Sequence, residues 1–272
     1  MKILLTGSTG FIGKEVYFLL KRKKVTIFKT SSKRLNNYIY CNLEKTKDVK
    51  KILNKIKPDI IINLAAKVVF NNNHTNKLKL NYVLPKALSI YCKRHKKNLI
   101  HISTISVHGR RSVYSNRLKF KPETSYGYSK LKGDKAIINS KCNFTIIRFP
   151  GIYGFKGPGH LFINRILKGN GNFKSLKLDN NGNQKRNYLF VKDAAKFILE
   201  CVKKNLRGIY YIGGETLTVK EMFKIMKKYY FIKKKIIFGS KIGNDELIKN
   251  NYKFKYVSFK EAIKNIKKDH NK

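Results

Sequence analysis

The N-terminal stretch KILLTGSTGFIG (residues 2–13) decides the fold class of this chain. An apolar run meets glycines at 7, 10 and 13, and an apolar helical pattern follows. This order is typical of the strand, tight turn and helix that hold a dinucleotide: Gly7 allows the turn, Gly10 lets the backbone approach a pyrophosphate, and Gly13 lets helix pack on strand. The spacing is G-x-x-G-x-x-G rather than the commoner G-x-G-x-x-G, and glycine triplets also occur in plain loops, so later motifs must support this interpretation.

Composition bounds the class of protein. A chain of 272 residues with 42% hydrophobic residues suits one or two globular domains. No apolar run approaches the roughly 18 to 20 residues of a membrane span, and no secretion signal is expected at the N-terminus. The four cysteines, at 41, 92, 142 and 201, form no C-x-x-C pair, so neither a metal site nor a disulfide framework is expected. A reducing cytoplasm is the simplest compartment.

The net charge of +46 invites a nucleic-acid interpretation, because a basic face releases counterions from phosphates. The excess, however, comes from 51 lysines against 10 arginines, spread along the whole chain. That distribution favours a coding bias over a dedicated surface, and we expect it to attract anionic substrates. The alternative function is an RNA-binding protein in which the dinucleotide fold carries a structural or regulatory cofactor.

The second strand, predicted at 25–28, ends where an acidic residue normally binds the adenosine ribose. The sequence there is KTSSKR (residues 29–34), without an acid. Cations and hydroxyls suit a 2′-phosphate, so this stretch favours NADP over NAD, chiefly through Ser31, Ser32 and Arg34.

Further strands are predicted at 38–41, 60–66, 99–103 and 143–148, alternating with helices at 44–56, 76–94 and 125–138. This alternation predicts an α/β fold, a doubly wound parallel sheet over residues 1–150. Pro85 is expected to kink its helix or open it locally. Asn81, on the same helix, is either a polar anchor behind the site or a surface residue.

Tyr126 and Lys130 lie four residues apart on a predicted helix and therefore share a face. A phenol has a pKa of about 10, and a nearby ammonium is expected to lower it toward the range of a general acid or base. Thr104, at the end of the neighbouring strand, offers a hydroxyl to the substrate oxygen. A Tyr-x-x-x-Lys pair alone is weak evidence in a lysine-rich chain. The hypothesis that Tyr126 and Lys130 are catalytic therefore depends on their position after a strand that ends in Ser-Thr and downstream of the glycine turn.

The chain resembles the extended short-chain dehydrogenase/reductase family, in its NAD-dependent epimerase/dehydratase branch. The resemblance covers residues 1–225 and depends on motifs that occur in order: TGSTGFIG (6–13), NLAA (63–66), Asn81, STISVHG (103–109), YGYSK (126–130), RFPGIYG (148–154), RNYLFVKD (186–193) and YYIGG (210–214).

The resemblance implies a nicotinamide cofactor, NADP or NAD, and a nucleoside-diphosphate sugar as substrate. Tyr126 then corresponds to the acid/base, Lys130 to the group that binds nicotinamide ribose and tunes Tyr126, and Thr104 to their hydroxyl partner. Arg186 corresponds to an arginine that contacts the substrate diphosphate, and a homodimer is implied. The expected cofactor-binding residues are Gly7, Thr9, Gly10, Phe11, Ile12, Gly13, Ser31, Ser32, Arg34, Asn42, Leu43, Leu64, Ala65, Ala66, Asn81 and Lys130, and the expected substrate-binding residues are Lys67, Thr104, Tyr126, Gly151 and Arg186.

Departures from the family pattern narrow the reaction. Ile105 and Ser106 stand where dehydratases carry Asp-Glu, which argues against a 4,6-dehydratase. His108 replaces a usual Tyr, Gly151 replaces a substrate-binding Asn of several epimerases, and Lys192 replaces a usual Asp. The missing ribose-binding acid favours a reductase that uses free NADPH, so we expect a keto-sugar reductase, with a 4-epimerase, which keeps its cofactor bound, close behind.

Residues 151–272 are predicted to form a small α+β substrate lobe, with segments returning to the first domain. A glycine-rich loop (151–159) precedes a helix at 160–167, and a hairpin is predicted from strands 176–178 and 188–191 around Asn-Asn-Gly (180–182). Thr218-x-x-Glu221 and Ser258-x-x-Glu261 are capping boxes. The basic tail, 264–272, is expected to fray.

Overall fold

The computed structural model describes residues 1–69, 78–168, 175–230, 235–239 and 244–270. Two compact units are present. The first comprises Met1–Gly109, Asn116–Arg148 and Ala195–Tyr210, and the second comprises Arg110–Ser115, Phe149–Ala194 and the described residues from Tyr211 onward.

In chain order the strands and helices are β1 (Lys2–Thr6), α1 (Phe11–Leu20), β2 (Thr26–Ser31), β3 (Ile39–Tyr40), α2 (Thr46–Ile56), β4 (Ile60–Asn63), α3 (Leu80–Arg94), β5 (Asn98–Thr104), β6 (Val113–Tyr114), α4 (Ser125–Ser140), β7 (Asn143–Phe149), β8 (Gly151–Tyr153), α5 (Phe162–Leu167), β9 (Ser175–Leu178), β10 (Lys185–Phe190), α6 (Val191–Lys204), β11 (Gly208–Tyr211), β12 (Thr216–Thr218), α7 (Val219–Lys227), β13 (Lys235–Phe238), β14 (Leu247–Ile248) and α8 (Phe259–His270).

A seven-stranded sheet runs in the order β11-β7-β5-β4-β1-β2-β3. Strand β1 pairs in parallel with both β2 and β4, and Leu4 lies opposite Phe28 on one side and Ile61 on the other. Ile3, Leu4 and Leu5 are all fully buried, which explains why this strand is apolar without alternation. The order reverses after β1, so the doubly wound parallel sheet is confirmed and the carboxyl ends of β1 and β4 meet at the glycine turn.

Helices α3 and α4 approach each other closely. Pro85 lies inside α3, and the helix continues through it without a break. Because proline has no N–H, the carbonyl of Asn81 receives no bond from position 85. Gly133 of α4 lies against that carbonyl, since a Cβ at Gly133 would come within 2.4 Å of it.

Two predictions for the second unit are wrong. Strand β9 pairs in parallel with β13, while β10 pairs with β8 and β12, so no hairpin joins 176–178 to 188–191. Asn180 and Asn181 both have positive φ (49° and 50°), so the chain turns there, but the strands on either side pair with other strands. The segment from Lys264 to His270 belongs to α8 and is not frayed, because Ala262, Ile263 and Ile266 bury one helical face; residues 271–272 lie outside the described part.

The helix starts of the second unit follow local rules. The predicted helix at 160–167 begins at Phe162. Thr218 and Glu221 form both halves of a capping box at α7, and the Ser258 hydroxyl accepts from the backbone N–H of Glu261, at 3.2 Å, at α8. Across the described ranges, no helix has the length and apolarity that crossing a membrane requires.

Candidate active site

The glycine turn between β1 and α1 is built from close backbone contacts. Gly7 has φ +69°, and a Cβ there would lie 2.6 Å from the backbone of Leu64 and Ala65. A Cβ on Gly13 would lie 2.1 Å from the Gly7 carbonyl oxygen. Gly10 precedes α1 without a side-chain cap, so the helix N-terminus presents backbone N–H groups to an anion. The turn therefore fits the pyrophosphate of a dinucleotide.

The structure brings most predicted cofactor residues of this region to the ends of β1 and β4. Thr9 and Ala66 are exposed, and Phe11, Ile12 and Leu64 are partly buried. The backbone of Leu64 and Ala65 packs against Gly7, and Ala66 remains accessible.

The end of β2 holds an ordered lysine. The Lys29 Nζ atom lies 4.2 Å from the ring centroid of Tyr17 and 4.1 Å from that of Tyr38. Cation–π contacts on two rings restrict this long side chain. The Ser31 hydroxyl accepts from the backbone N–H of Lys33 at 3.0 Å, whereas Ser32 and Arg34 are exposed. Tyr17 and Tyr38 are distant in sequence, so nothing in the sequence singled out Lys29 among the lysines.

Asn42 and Leu43, two of the expected cofactor-binding residues, have local structural roles. The Asn42 side-chain oxygen accepts from the backbone N–H of Glu44 at 3.1 Å, and Leu43 packs against the core.

Asn81 is a buried anchor, the first of its two expected roles. Its side-chain oxygen accepts from the Lys67 N–H, and its amide donates to the Lys67 carbonyl, both at 2.8 Å. The same amide donates to the Ser129 hydroxyl at 2.9 Å. Asn81 therefore ties the loop after β4 to α4, while the Lys67 amine pairs with Glu44.

The predicted catalytic helix begins where expected. The Thr124 hydroxyl caps α4 by accepting from the Gly127 N–H at 3.0 Å. Gly127 packs on the turn after β5, since a Cβ there would lie 2.6 Å from the Ser106 carbonyl oxygen. In that turn the Thr104 hydroxyl donates to the Ser106 hydroxyl at 3.1 Å. The elements that carry Thr104 and Tyr126 are thus packed together.

Lys130 is almost completely buried, with 1% of its surface exposed. Its Nζ donates to the Ile102 carbonyl at 2.6 Å and lies 3.2 Å from Nε2 of His101. Burial lowers the pKa of Lys130 to about 8, against the opposing effect of Asp134. The lysine is therefore held under the site by the strand that leads to Thr104.

The expected depression of the Tyr126 pKa is wrong for this structure. Burial raises the pKa of the phenol to about 12, and the nearby Asp134 carboxylate raises it further by repelling the phenolate. Tyr126 is therefore a protonated phenol at neutral pH.

Sequence reasoning missed the buried charges beneath this helix. Asp134 is fully buried, and its Oδ2 accepts from Ser103 at 2.9 Å and from Arg148 at 3.0 Å. Burial raises the pKa of Asp134, while Arg148 and Lys130 oppose that rise. The available signal was spacing: Asp134 follows Lys130 by four residues on the same helix face and is one of only 15 acidic residues.

Two predicted substrate residues lie in the second unit. A Cβ on Gly151 would lie 2.7 Å from two atoms of the Tyr188 ring, so this ring fills the space that an Asn would need. Arg186 donates to the Gln184 side chain, and its Nη1 donates to the Lys185 and Asn244 carbonyls at 3.0 and 2.7 Å. Those bonds within the described chain use three of the five N–H donors of the guanidinium.

The chain is similar in sequence to known proteins. The sequence model of the family described as RmlD substrate binding domain matches residues 1–228. A curated relative in Bacillus subtilis (strain 168) is called an uncharacterized UDP-glucose epimerase, YtcB. It is 27% identical over an alignment of 278 positions, gaps included, that covers 90% of this chain and 87% of the relative.

Solved structures share the fold. A UDP-glucuronic acid 4-epimerase from Bacillus cereus, in complex with NAD, has a TM-score of 0.83 at 22% identity, with 100% of both chains covered. A dTDP-4-dehydrorhamnose reductase from Bacillus anthracis str. Ames, in complex with NADP, has a TM-score of 0.83 at 19% identity, with 98% of this chain and 99% of that chain covered. Both of these solved structures hold a nicotinamide dinucleotide, the class of cofactor that the sequence resemblance implied. This chain belongs to the RmlD substrate binding domain family, among the extended short-chain dehydrogenase/reductases that act as nucleotide-sugar reductases and epimerases.

Proposed function

We propose that this chain is an NADPH-dependent reductase of a nucleoside-diphosphate keto-sugar, with Tyr126 as its general acid. The observation that carries the proposal is the packing of α4 on the end of β5, which holds the Tyr126 phenol one helical turn before the buried Lys130 amine; burial keeps that phenol protonated, with its pKa raised to about 12. A reductase needs a proton donor for the keto oxygen, whereas an epimerase first needs a base that removes a hydroxyl proton. The environment of Tyr126 supports the first requirement.

Residues of the first unit have separate roles in the proposed reduction. When bound, the cofactor supplies the hydride. Tyr126 donates a proton to the substrate oxygen, and the Thr104 hydroxyl orients that oxygen. Lys130 has three N–H donors as an ammonium, and its contacts with Ile102 and His101 account for two of them. The third suits a ribose hydroxyl, and the positive charge stabilises the phenolate that forms on Tyr126.

The end of β2 supports NADPH as the cofactor. Lys29 lies in β2, two residues before its end, in a stretch that has no acid to bind an unmodified ribose, and two tyrosine rings contact its ammonium. Ser32 and Arg34 lie exposed on the same turn. An acid would repel a 2′-phosphate, while an ordered ammonium and an exposed guanidinium attract one.

In the second unit, Arg186 is the proposed contact of the substrate diphosphate, through its remaining N–H donors. Gly151 supports a reductase over an epimerase, because the Tyr188 ring fills the space that an Asn side chain at 151, as in several epimerases, would need.

The test measures oxidation of NADPH and NADH with dTDP-4-dehydrorhamnose and with other nucleoside-diphosphate 4-keto-sugars. We expect NADPH consumption with at least one keto-sugar and a smaller rate with NADH. Tyr126→Phe should lower kcat by ~10²–10⁴-fold, the range for loss of a general acid, while NADPH still raises Tm as in the wild type.

Tyr128→Phe is the matched control, since Tyr128 is 56% exposed on the same helix. Full activity of Tyr126→Phe would refute the mechanism. Inversion of a UDP-sugar without net NADPH consumption would replace the reductase by an epimerase. RNA binding with a steep salt dependence, without protection by any nucleotide sugar, would favour the binding-protein alternative.

A further inference from the structure

A row of buried polar side chains runs from the end of β1 to Lys130. The Thr6 hydroxyl donates to Asn63 Oδ1 at 2.6 Å, and Asn63 Nδ2 lies 2.9 Å from His101 Nδ1. His101 Nε2 lies 3.2 Å from Lys130 Nζ. The four side chains are between 0% and 1% exposed. Each belongs to a different element, namely β1, β4, β5 and α4, so the row crosses the sheet below the site.

Hydrogen-bond chemistry limits the states of this row. An ammonium has only donors, so a charged Lys130 needs a lone pair on His101 Nε2, and the imidazole proton must then lie on Nδ1. Asn63 meets that Nδ1 proton by turning its amide oxygen toward it, and the Thr6 hydroxyl then accepts from the amide NH₂. When Lys130 is neutral, the amide orientation described above fits: Asn63 Nδ2 donates to Nδ1, Asn63 Oδ1 accepts from Thr6, and the imidazole proton lies on Nε2.

The surrounding charges keep the imidazole neutral. His101 Nε2 also lies 3.7 Å from Asp134 Oδ1, and Asp134 is paired with the buried Arg148. Lys130 and Arg148 are two cations facing one carboxylate, so a third cation is disfavoured. Burial and Lys130 accordingly hold the pKa of His101 well below its usual range. The Ile102 carbonyl accepts from Lys130, and the Ser103 hydroxyl donates to Asp134.

We propose that His101 is a positioning residue for Lys130, because its neutral ring accepts a hydrogen bond from the ammonium. The tautomer of the ring changes with the charge state of Lys130, and the hydrogen-bond directions of Asn63 and Thr6 change with the tautomer. The proposal rests on the proposed function, in which Lys130 serves the nicotinamide ribose and Tyr126. A residue that merely filled space would not change the ionisation of Lys130.

The test measures that ionisation directly, without substrate. The protein is labelled with ¹³Cε-lysine, and the resonance of Lys130 is assigned by its loss in Lys130→Arg. In the wild type we expect a midpoint near the pKa of about 8, well separated from ordinary lysines at 10.5. His101→Phe, which lacks the acceptor, should lower the midpoint by ~1 pH unit, the effect of one hydrogen bond to a charged group. His101→Gln, whose side-chain oxygen can accept, should restore more than half of that change.

His95→Phe is the control, since His95 is exposed at the end of α3 and should leave the midpoint unchanged. An unchanged midpoint in folded His101→Phe would overturn the proposal, and so would an equal shift in His101→Gln.

If His101→Phe does not fold, ¹⁵N spectra of the wild-type imidazole test the proposal. We expect His101 to remain neutral through its ordinary pKa of 6.5 and to change tautomer at the Lys130 midpoint. Protonation near 6.5, or one tautomer throughout, would overturn the proposal. Because these readouts need no turnover, their outcome is independent of the outcome of the reductase assay.

Discussion

Arg148 donates to a single oxygen of Asp134 from two nitrogens, Nε at 3.2 Å and Nη2 at 3.0 Å. Both side chains are buried, with exposures of 2% and 0%. The pair joins β7 to α4, the helix that carries Tyr126 and Lys130. A buried pair with this geometry keeps two charges compensated in a medium where neither is tolerated alone.

Asp134→Asn should therefore lower the free energy of unfolding by ~3–5 kcal/mol, because it removes the buried carboxylate charge to which the Arg148 guanidinium donates from two nitrogens. Urea denaturation at neutral pH measures the change. Glu261→Gln removes an exposed partner of Lys264, whose Nζ is 3.9 Å away, and should cost less than ~1 kcal/mol. Equal effects of the two substitutions would show that Asp134 is not held as a buried ion pair.

Gly13→Ala tests the glycine turn. The new Cβ would lie 2.1 Å from the Gly7 carbonyl oxygen, so α1 must move away from β1. We expect a loss of ~1–3 kcal/mol in stability, as for other overpacked sites, and a weaker Tm increase on addition of NADPH. Gly159→Ala is the control, because among the described residues its Cβ would have one neighbour within 4 Å, the Arg165 side chain at 3.8 Å. An unchanged NADPH response in Gly13→Ala would argue against the turn as the dinucleotide site.

Lys130→Met tests the ionisation of the buried lysine through stability. The folded-state pKa of Lys130 is about 8, below the ordinary 10.5, so between these values only the unfolded chain holds the proton. Stability rises with pH wherever the unfolded state binds more protons. The wild type should therefore gain up to ~3 kcal/mol relative to Lys130→Met as pH rises through this window. Denaturation curves of the two proteins at matched pH values measure the difference, and parallel pH profiles would contradict it.

Gly151→Ala tests the contact with Tyr188 in the second unit. A Cβ would lie 2.7 Å from the Tyr188 ring, so we expect a cost of ~1–3 kcal/mol. Once Tyr188→Ala has removed the ring, the same substitution should cost less. A double-mutant cycle by urea denaturation should then give a coupling of at least ~0.5 kcal/mol, and strict additivity would show that the ring is not the obstacle.

Patterns formed by residues close together in the sequence predicted most of the fold. The apolar strands, the glycine turn and the capping boxes each depend on residues near one another in sequence, so the alternation of strands and helices was readable and the doubly wound sheet is confirmed. The hairpin at 176–191 was wrong, because pairing partners of short strands are chosen by distant segments. The prediction of a frayed C-terminal tail was wrong for a related reason. The segment is rich in lysine, and its apolar stripe is recognised as one face of a helix only when the surface that buries it is known.

The sequence by itself determined the dinucleotide fold, the family, and the placement of Tyr126 and Lys130 on one helix, because these follow from spacing along the chain. Only the tertiary structure decided the ionisation of those residues. The groups that set it, His101, Asp134 and Arg148, come from separate elements, and desolvation depends on what surrounds a side chain rather than on its neighbours in sequence.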